Sequence, residues 1–329
     1  MTPLHDQVRR TIARHALCGP GSRLLIALSG GSDSVALAFV LRDLAAYDGF
    51  SLAALAHLNH RLRPTAGRDE QFCRDLAARM GLPILVDALD VQGYAASQRL
   101  SLEEAARRLR YDFLHKAGGQ AGADRIAVGH TRDDQAETVL LKLMRGAGST
   151  GLAGVFPRRG AVIRPLLDVA RSDLRSYLTM RGETWVDDET NDDIDNPRNR
   201  IRHQVLPQLD HALRGDVRPA LARAASLARE DGQFLDELAE RRYAEVAITT
   251  GDTVELDAGA LAGEAMAVRR RVVWTALRAV SGNREVGLDH VEAALLVLGG
   301  EQAAMDGPGS RVELRRGKLV LFRQRVVPG

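Results

Sequence analysis

Two stretches of the chain carry side chains whose types and spacing could do chemistry. The first is Ser29-Gly30-Gly31-Ser32-Asp33-Ser34, which follows the apolar run Leu24-Leu25-Ile26-Ala27-Leu28 and precedes the helical pattern from Val35 to Leu41. A strand, a Gly/Ser turn and a helix leave several backbone N–H groups unpaired at the helix start, where a phosphate can sit. The glycines let the backbone approach closely, and the serines add hydroxyl donors without bulk. Asp33 has no reason to face a phosphate unless a divalent cation lies between them, so it reads as an indirect Mg²⁺ ligand or as a cap on the first helical turn. The second stretch is Gly129-His130-Thr131-Arg132-Asp133-Asp134-Gln135-Ala136-Glu137-Thr138. A helix beginning near Thr131 puts His130, Asp134 and Glu137 at i, i+4 and i+7, close to one face and pointing back toward the preceding strand. Two carboxylates and an imidazole gathered there call for a cation to offset them. Stabilisation of first-turn acids by the helix dipole is the alternative, and it accounts well for Asp133.

These groups must be positioned by strands and helices that alternate along the first two thirds of the chain. Residues 5–17 read as a lead-in helix, 23–28 as a strand and 35–47 as a helix; 52–58 is a second strand, 67–80 a helix and 82–86 a third strand. Strand ends beside a phosphate loop are where an open parallel sheet places ligand contacts, so His57, Asn59 and His60 are candidates for adenine or ribose, with Arg61 and Arg63 on a mobile loop. Ser101-Leu102-Glu103-Glu104 has the form of a capping box, opening a helix with Leu102, Ala105, Ala106, Leu109 and Phe113 as its apolar stripe and Arg107, Arg108 and Arg110 on the other face. A fourth strand, 125–128, leads to the His130 helix, whose expected buried stripe is Ala136, Leu140 and Leu143. Residues 145–154 hold four glycines, as a closing loop or a long connection would. After a helix near 170–181, an acidic loop at 185–193 is followed by the basic strip Arg198-Asn199-Arg200-Ile201-Arg202-His203, which reads either as one half of a self-neutralising patch or as a phosphate-binding strip.

From about Val205 the strand signals stop. The expected fold is α/β: a Rossmann-like open parallel sheet over 1–205, a helical segment over 206–249 and a small α+β domain over 250–329 that ends in a hairpin of 311–315 with 319–323. The 45% hydrophobic and 27% charged content suits a soluble globular chain, and a cytoplasmic address with no membrane partner is the default expectation. Cys18 and Cys73 form no C-x-x-C pair, which speaks against a zinc or iron–sulfur site. The net charge is only +2, but Lys116, Lys142 and Lys318 are the only lysines; the basic side is almost all arginine, suited to bidentate phosphate contacts.

The stretch SGGSDS resembles the pyrophosphate-binding loop of the PP-loop ATPases, which cleave ATP to AMP and pyrophosphate. Together with HLNHRLRP, SLEEAARRLRYDFL, GHTRDDQAETVLLKLMRGAGSTGL and NPRNRIRHQVLP, in this order, it is similar to the tRNA(Ile)-lysidine synthetase family over roughly residues 23–207. Members often have an aromatic just before the R-N-x-I/L-R strip, where Asn196-Pro197 stand here. Some carry a further terminal domain, for which 329 residues are expected to leave no room.

The resemblance implies a cytoplasmic ligase using ATP and Mg²⁺, with tRNA(Ile) bearing a CAU anticodon and free L-lysine as partners; a homodimer stays open. The C2 oxygen of the anticodon wobble cytidine attacks ATP, giving an adenylated base and pyrophosphate, and lysine then expels AMP to form lysidine. On that reading Ser29, Gly30, Gly31, Ser32, Asp33 and Ser34 hold pyrophosphate and Asp33 lies near Mg²⁺. His130 stabilises phosphate or leaving charge, and Asp134 and Glu137 hold the lysine ammonium or Mg²⁺ or act as base. Arg107, Arg110, Arg198 and Arg202 are candidates for tRNA or phosphate contacts. The rivals are a PP-loop tRNA thiolase, for which two isolated cysteines supply no sulfur chemistry, an ammonia-using amidating enzyme, for which no glutaminase module is visible, and a non-catalytic RNA-binding protein, which the retained His130, Asp134 and Glu137 disfavour.

Overall fold

The computed structural model describes residues 2–59, 66–187 and 195–324, so His60, Arg61, Arg63 and the acidic residues 188–193 lie outside the described residues. Two compact units divide the chain, Met1–Leu227 and Ala228–Gly329.

In the first unit, α1 (Pro3–Arg14), β1 (Arg23–Ala27), α2 (Ser32–Asp48), β2 (Ser51–Asn59), α3 (Ala66–Met80) and β3 (Ile84–Ala88) follow in turn. Next come α4 (Val91–Gln98), α5 (Leu102–Ala121), β4 (Arg125–Ala127), α6 (Arg132–Met144), α7 (Ser149–Leu152), β5 (Arg158–Arg159), β6 (Val162–Ile163) and α8 (Arg171–Met180). Beyond the acidic loop lie α9 (Pro197–Arg200), a π turn (Ile201–Val205), α10 (Leu206–Leu213) and α11 (Arg218–Val246), the last running on into the second unit.

The strand order is β3-β2-β1-β4-β6-β5, parallel except for the short edge strand β5. Successive residues of a strand face opposite sides of the sheet. Accordingly Leu24 and Ile26 pack with Val35, Leu37, Val40, Leu76 and Leu174 on one face, while Leu25 packs with Phe113, Leu114 and Ile126 on the other. The order reverses between β1 and β4, and such a switch point opens a crevice at the strand ends. The loop after β1 and the start of α6 after β4 both lie there.

Some local expectations are corrected by tertiary packing. Leu102 and Leu143 stand 50% and 52% exposed rather than in the apolar stripes of their helices, because each lies at a helix end beyond the neighbour that covers the rest. Only half of the expected capping box forms, with Ser101 Oγ accepting from the Glu104 N–H at 3.2 Å. The helix α4, capped by Asp90, was not foreseen. The glycine-rich segment 145–154 is tied down by α6: Gln135 Oε1 accepts from the Val155 N–H at 2.6 Å, and Lys142 Nζ donates to the Gly154 carbonyl at 3.1 Å. The basic strip is helical, which sets Arg198 and Arg202 one turn apart.

The second unit holds β7 (Ala247–Thr250), β8 (Thr253–Asp257), α12 (Ala258–Ala262), α13 (Met266–Val280), α14 (Leu288–Leu298), β9 (Ala304–Gly307), β10 (Ser310–Arg315) and β11 (Lys318–Arg323). The antiparallel order β7-β8-β11-β10-β9 is packed by α13 and α14 around Val254, Leu256, Val272, Leu277, Val312 and Leu321. Its closing hairpin turns at Arg316-Gly317, both with positive φ, as a two-residue turn between twisted strands requires.

One glycine permits the switch-point geometry. A Cβ on Gly129 would stand 3.2 Å from the backbone C and O of Asp33 and from the N of Ser34. Gly129→Ala is therefore expected to lower stability by about 1–3 kcal/mol in urea denaturation. Gly119→Ala, in α5 with open space around it, should be neutral or stabilising by up to about 1 kcal/mol.

Candidate active site

The phosphate loop is shaped by its own serines. Ser34 Oγ donates to the Gly31 carbonyl at 2.9 Å and accepts from the Ser29 N–H at 3.1 Å, folding the turn back over the start of α2. Gly30 sits at φ +92°, a conformation side-chain-bearing residues rarely adopt, and its carbonyl accepts from the Val186 N–H at 3.0 Å. Gly31 is the N-cap of α2 and supplies no side-chain cap, so the first N–H groups of the helix keep their capacity for an anion.

Across the switch point, Thr131 caps α6 and forms a reciprocal pair with Asp134, whose Oδ2 accepts from the Thr131 N–H at 2.7 Å and from Thr131 Oγ1 at 2.9 Å. Asp134 and Glu137 share one face of α6, as the spacing predicts, whereas His130 precedes the N-cap Thr131 and so stands outside the helix, within reach of the Asp134 charge. The cation that their charges demand is supplied by arginine. Arg171 donates from Nε to Asp33 at 2.9 Å and from Nη2 to Asp134 at 3.1 Å, with Nη1 lying 3.7 Å from Glu137. Arg198 reaches Asp134 at 2.8 Å and Glu137 at 2.6 Å, and Arg202 Nε reaches Glu137 at 2.6 Å. Glu137 is fully buried.

Packing explains why the arginines arrive there. α8 lies against α2 through Leu174, Tyr177 and Leu178, and Asp133 of α6 accepts from the Arg171 N–H at 2.9 Å, capping a helix whose own N-cap, Ala170, cannot. The π turn and α10 pack Ile201 and Leu206 onto Ala136 and Leu140 of α6, and that hands Arg198 and Arg202 to the carboxylates. Thus Asp133, read as a helix-dipole acid, also fastens a second helix. Arg171 and Arg164 were missed by the sequence reading; the demand for a cation signalled that such residues exist, without saying where.

The charges respond to this setting. Burial works to raise the Asp134 carboxyl, but Arg198 and Arg171 prevail and hold it well below the usual carboxylate range. Burial raises Asp33, and the nearby charge of Asp134 adds to that while Arg171 opposes it. Arg171 is held firmly charged by Asp134 and Asp33 despite its burial. His130 is held neutral, at about 3, chiefly by burial.

The remaining candidates have the following surroundings. His57 is buried, its Nδ1 2.9 Å from the Leu28 carbonyl and 3.3 Å from Cys73 Sγ, so its ring belongs to the packing beneath the loop. Asn59 Nδ2 donates to Glu70 at 3.1 Å. Arg107 lies exposed over the Tyr111 ring and Arg108 pairs with Glu104 at 2.9 Å, while Arg110 stays at the site, its charge reaching both Arg198 and His130. Among the described residues no group of three or more His, Cys, Asp or Glu is spaced to hold a metal ion. Burial pushes the thiols of Cys18 and Cys73 up to about 11 and about 12, which makes both poor nucleophiles.

The sign of the His130 shift sets a pH dependence. Its folded value lies below the ordinary 6.5, so the unfolded chain binds the proton first; stability present above pH 6.5 is lost as pH falls toward 3. His57 is lowered in the same direction by burial. Between pH 6.5 and 5, where carboxylates change little, His130 should account for up to about 2 kcal/mol of lost stability. Denaturation at both pH values checks this, and His130→Gln should remove this contribution to the slope.

Comparisons with known proteins identify the family. Residues 4–209 match the model of a PP-loop domain. The tRNA(Ile)-lysidine synthase of Symbiobacterium thermophilum is 41% identical over 98% of this chain and 69% of its own length. Those of Geobacter sulfurreducens and Dehalococcoides mccartyi are 38% and 35% identical, over 87% and 94% of this chain and 61% and 67% of theirs. The chain thus spans about two thirds of the length of these relatives. Among solved structures, a U34-tRNA thiolase from Methanococcus maripaludis superposes with a TM-score of 0.55 at 16% identity, covering 69% of this chain and 76% of that one, a likeness of fold. With a PP-loop at the switch point and relatives of this similarity, the chain belongs to the tRNA(Ile)-lysidine synthase family of C–N ligases.

Proposed function

We propose that the cluster at the switch point carries out both halves of lysidine formation on the anticodon cytidine of tRNA(Ile). One observation carries this reading: a single guanidinium, that of Arg171, spans from Asp33 on the phosphate loop to Asp134 on α6. The place where ATP is split and the place where an amine is held therefore lie within one side chain of each other.

In the first half, the loop 29–34 takes the β and γ phosphates at the start of α2, and the C2 oxygen of cytidine attacks the α phosphate, expelling pyrophosphate. The carbonyl oxygen, a poor leaving group, becomes part of AMP, a good one. Asp33 and Asp134 fit Mg²⁺ as two carboxylates flanking one cationic group, with phosphate oxygens to complete the shell that this ion prefers. When bound, Mg²⁺ would offset charge on the α phosphate.

In the second half, the carboxylates that hold the arginines take the lysine ammonium. Phosphate oxygens of ATP and tRNA compete for the forked donors of Arg171, Arg198 and Arg202, and release of these arginines frees Asp134 and Glu137. Asp134, fixed by its two hydrogen bonds from Thr131, orients the amine. Glu137, freed from the arginines that hold it in the resting site, takes a proton from the ammonium so that the neutral amine can attack C2, breaking its bond to oxygen and expelling AMP. Thiolation fits less well, since Cys18 lies near Arg125 and Asp124 at the start of β4, while Cys73 lies under the Leu28 carbonyl at the other end of the sheet.

Transfer of labelled lysine to tRNA(Ile), with pyrophosphate release measured alongside, tests this reading. Asp33→Asn, Asp134→Asn and Glu137→Gln should each lower transfer by about 100-fold or more while the protein still melts cooperatively. Near-normal turnover in any of them removes that residue from the site. Release of pyrophosphate that depends on tRNA but never incorporates lysine contradicts the reading as a whole.

A further inference from the structure

Arg164, in the turn after β6, has no place in the chemistry set out above. It is 4% exposed, and the hydrogen bonds of its guanidinium go to neutral groups: Nη1 donates to the Phe156 carbonyl at 2.7 Å, Nη2 to the Tyr111 hydroxyl at 3.2 Å and Nε to His130 Nδ1 at 3.2 Å. A buried cation served by neutral acceptors keeps its positive potential for whatever lies beside it.

The bond to His130 has a chemical consequence. A guanidinium nitrogen can only donate, because arginine stays protonated in proteins. Nδ1 of His130 must then offer its lone pair, and in the neutral ring the proton stands on Nε2. A proton on Nδ1 would set one N–H against another. The charged groups facing the ring come from four elements: Asp134 on α6 favours the charged form, while Arg164 after β6, Arg198 on α9 and Arg110 on α5 oppose it.

We propose that Arg164 is a positioning residue that locks His130 as a neutral Nε2–H donor, so that His130 serves the reacting phosphoryl group as a hydrogen-bond donor and not as a general acid. The assignment rests on the proposed function and on the role that the family resemblance implies for His130, stabilising phosphate or leaving charge. In that role the ring gives up no proton. Its N–H strengthens its bond to the phosphoryl oxygen as charge develops there and does not wait on protonation from solvent.

Two readouts test it. Nitrogen-15 spectra of histidine-labelled protein, without tRNA or lysine, should show His130 as the Nε2–H tautomer with no titration from pH 8 to 5.5; the spectrum of His130→Gln identifies its signals. Arg164→Met should produce mixed tautomers and a protonation midpoint that rises toward the ordinary histidine value. In tRNA-dependent pyrophosphate release, the same variant should lose about 10- to 100-fold in kcat with little change in the KM for ATP, and gain an acidic limb that the unaltered protein lacks. Arg164→Lys, which keeps a donor and a charge, should recover part of both, and it stands in if Arg164→Met fails to fold. An Nδ1–H tautomer or an ordinary titration of His130 in the unaltered protein overturns the proposal. So does Arg164→Met, or Arg164→Lys in its place, with tautomer, pH profile and kcat all unchanged. Because the spectra need no substrate, they decide the tautomer even if labelled lysine is never transferred.

Discussion

The first unit is arranged around a carboxylate that water does not reach. Glu137 is fully buried on α6, with Asp134 one turn before it and Asp33 across the switch point. Like charges at such distances in a poorly screened interior repel strongly, and a buried carboxylate left without a partner costs several kcal/mol. The fold meets this with guanidiniums brought from two directions: Arg171 at the start of α8, and Arg198 and Arg202 from α9 and the π turn. Each delivery depends on its own apolar contact, α8 on α2 and the α9–α10 segment on the far side of α6. The core therefore serves the site by fixing where the positive ends of these helices fall.

Such a cluster is balanced without any ligand, and that bears on how it can work. A site of bare carboxylates would bind cations indiscriminately, and one of bare arginines would bind any phosphate. Here each sign screens the other until a polyanion offers the arginines a better partner. Beside the balanced cluster sits a neutral imidazole held by a buried arginine. The two arrangements divide the labour: ions that can exchange partners, and a donor that keeps one protonation state throughout.

How much of this could be read from the sequence depends on the range of the interaction. The loop 29–34 was legible because strand, glycines and helix start are neighbours in the chain, and the shared face of Asp134 and Glu137 follows from helical spacing, though His130 precedes the helix. The need for a cation was legible too, as a matter of charge. Which groups supply it was not, because the arginines lie far along the chain from these carboxylates and reach the site only through tertiary packing. Local pattern likewise misplaced Leu102 and Leu143, since periodicity marks a face but not where the neighbouring element stops. His57 shows the same limit: a histidine at a strand end looks the same in sequence whether it meets a ligand or the Leu28 carbonyl.

The central claim, that paired guanidinium and carboxylate groups hold α6 and the α9 segment at the site, is tested most directly by a double-mutant cycle on Glu137→Gln and Arg202→Gln, read by urea denaturation. Each single change removes one side of the Glu137–Arg202 pair, while Arg198 still holds Glu137 in Arg202→Gln, and each should lower stability by up to about 3 kcal/mol. The double variant, in which neither charge remains, should lose less than the sum by about 1–2 kcal/mol or more. Additive losses would mean that the two groups do not depend on each other, and would contradict the account.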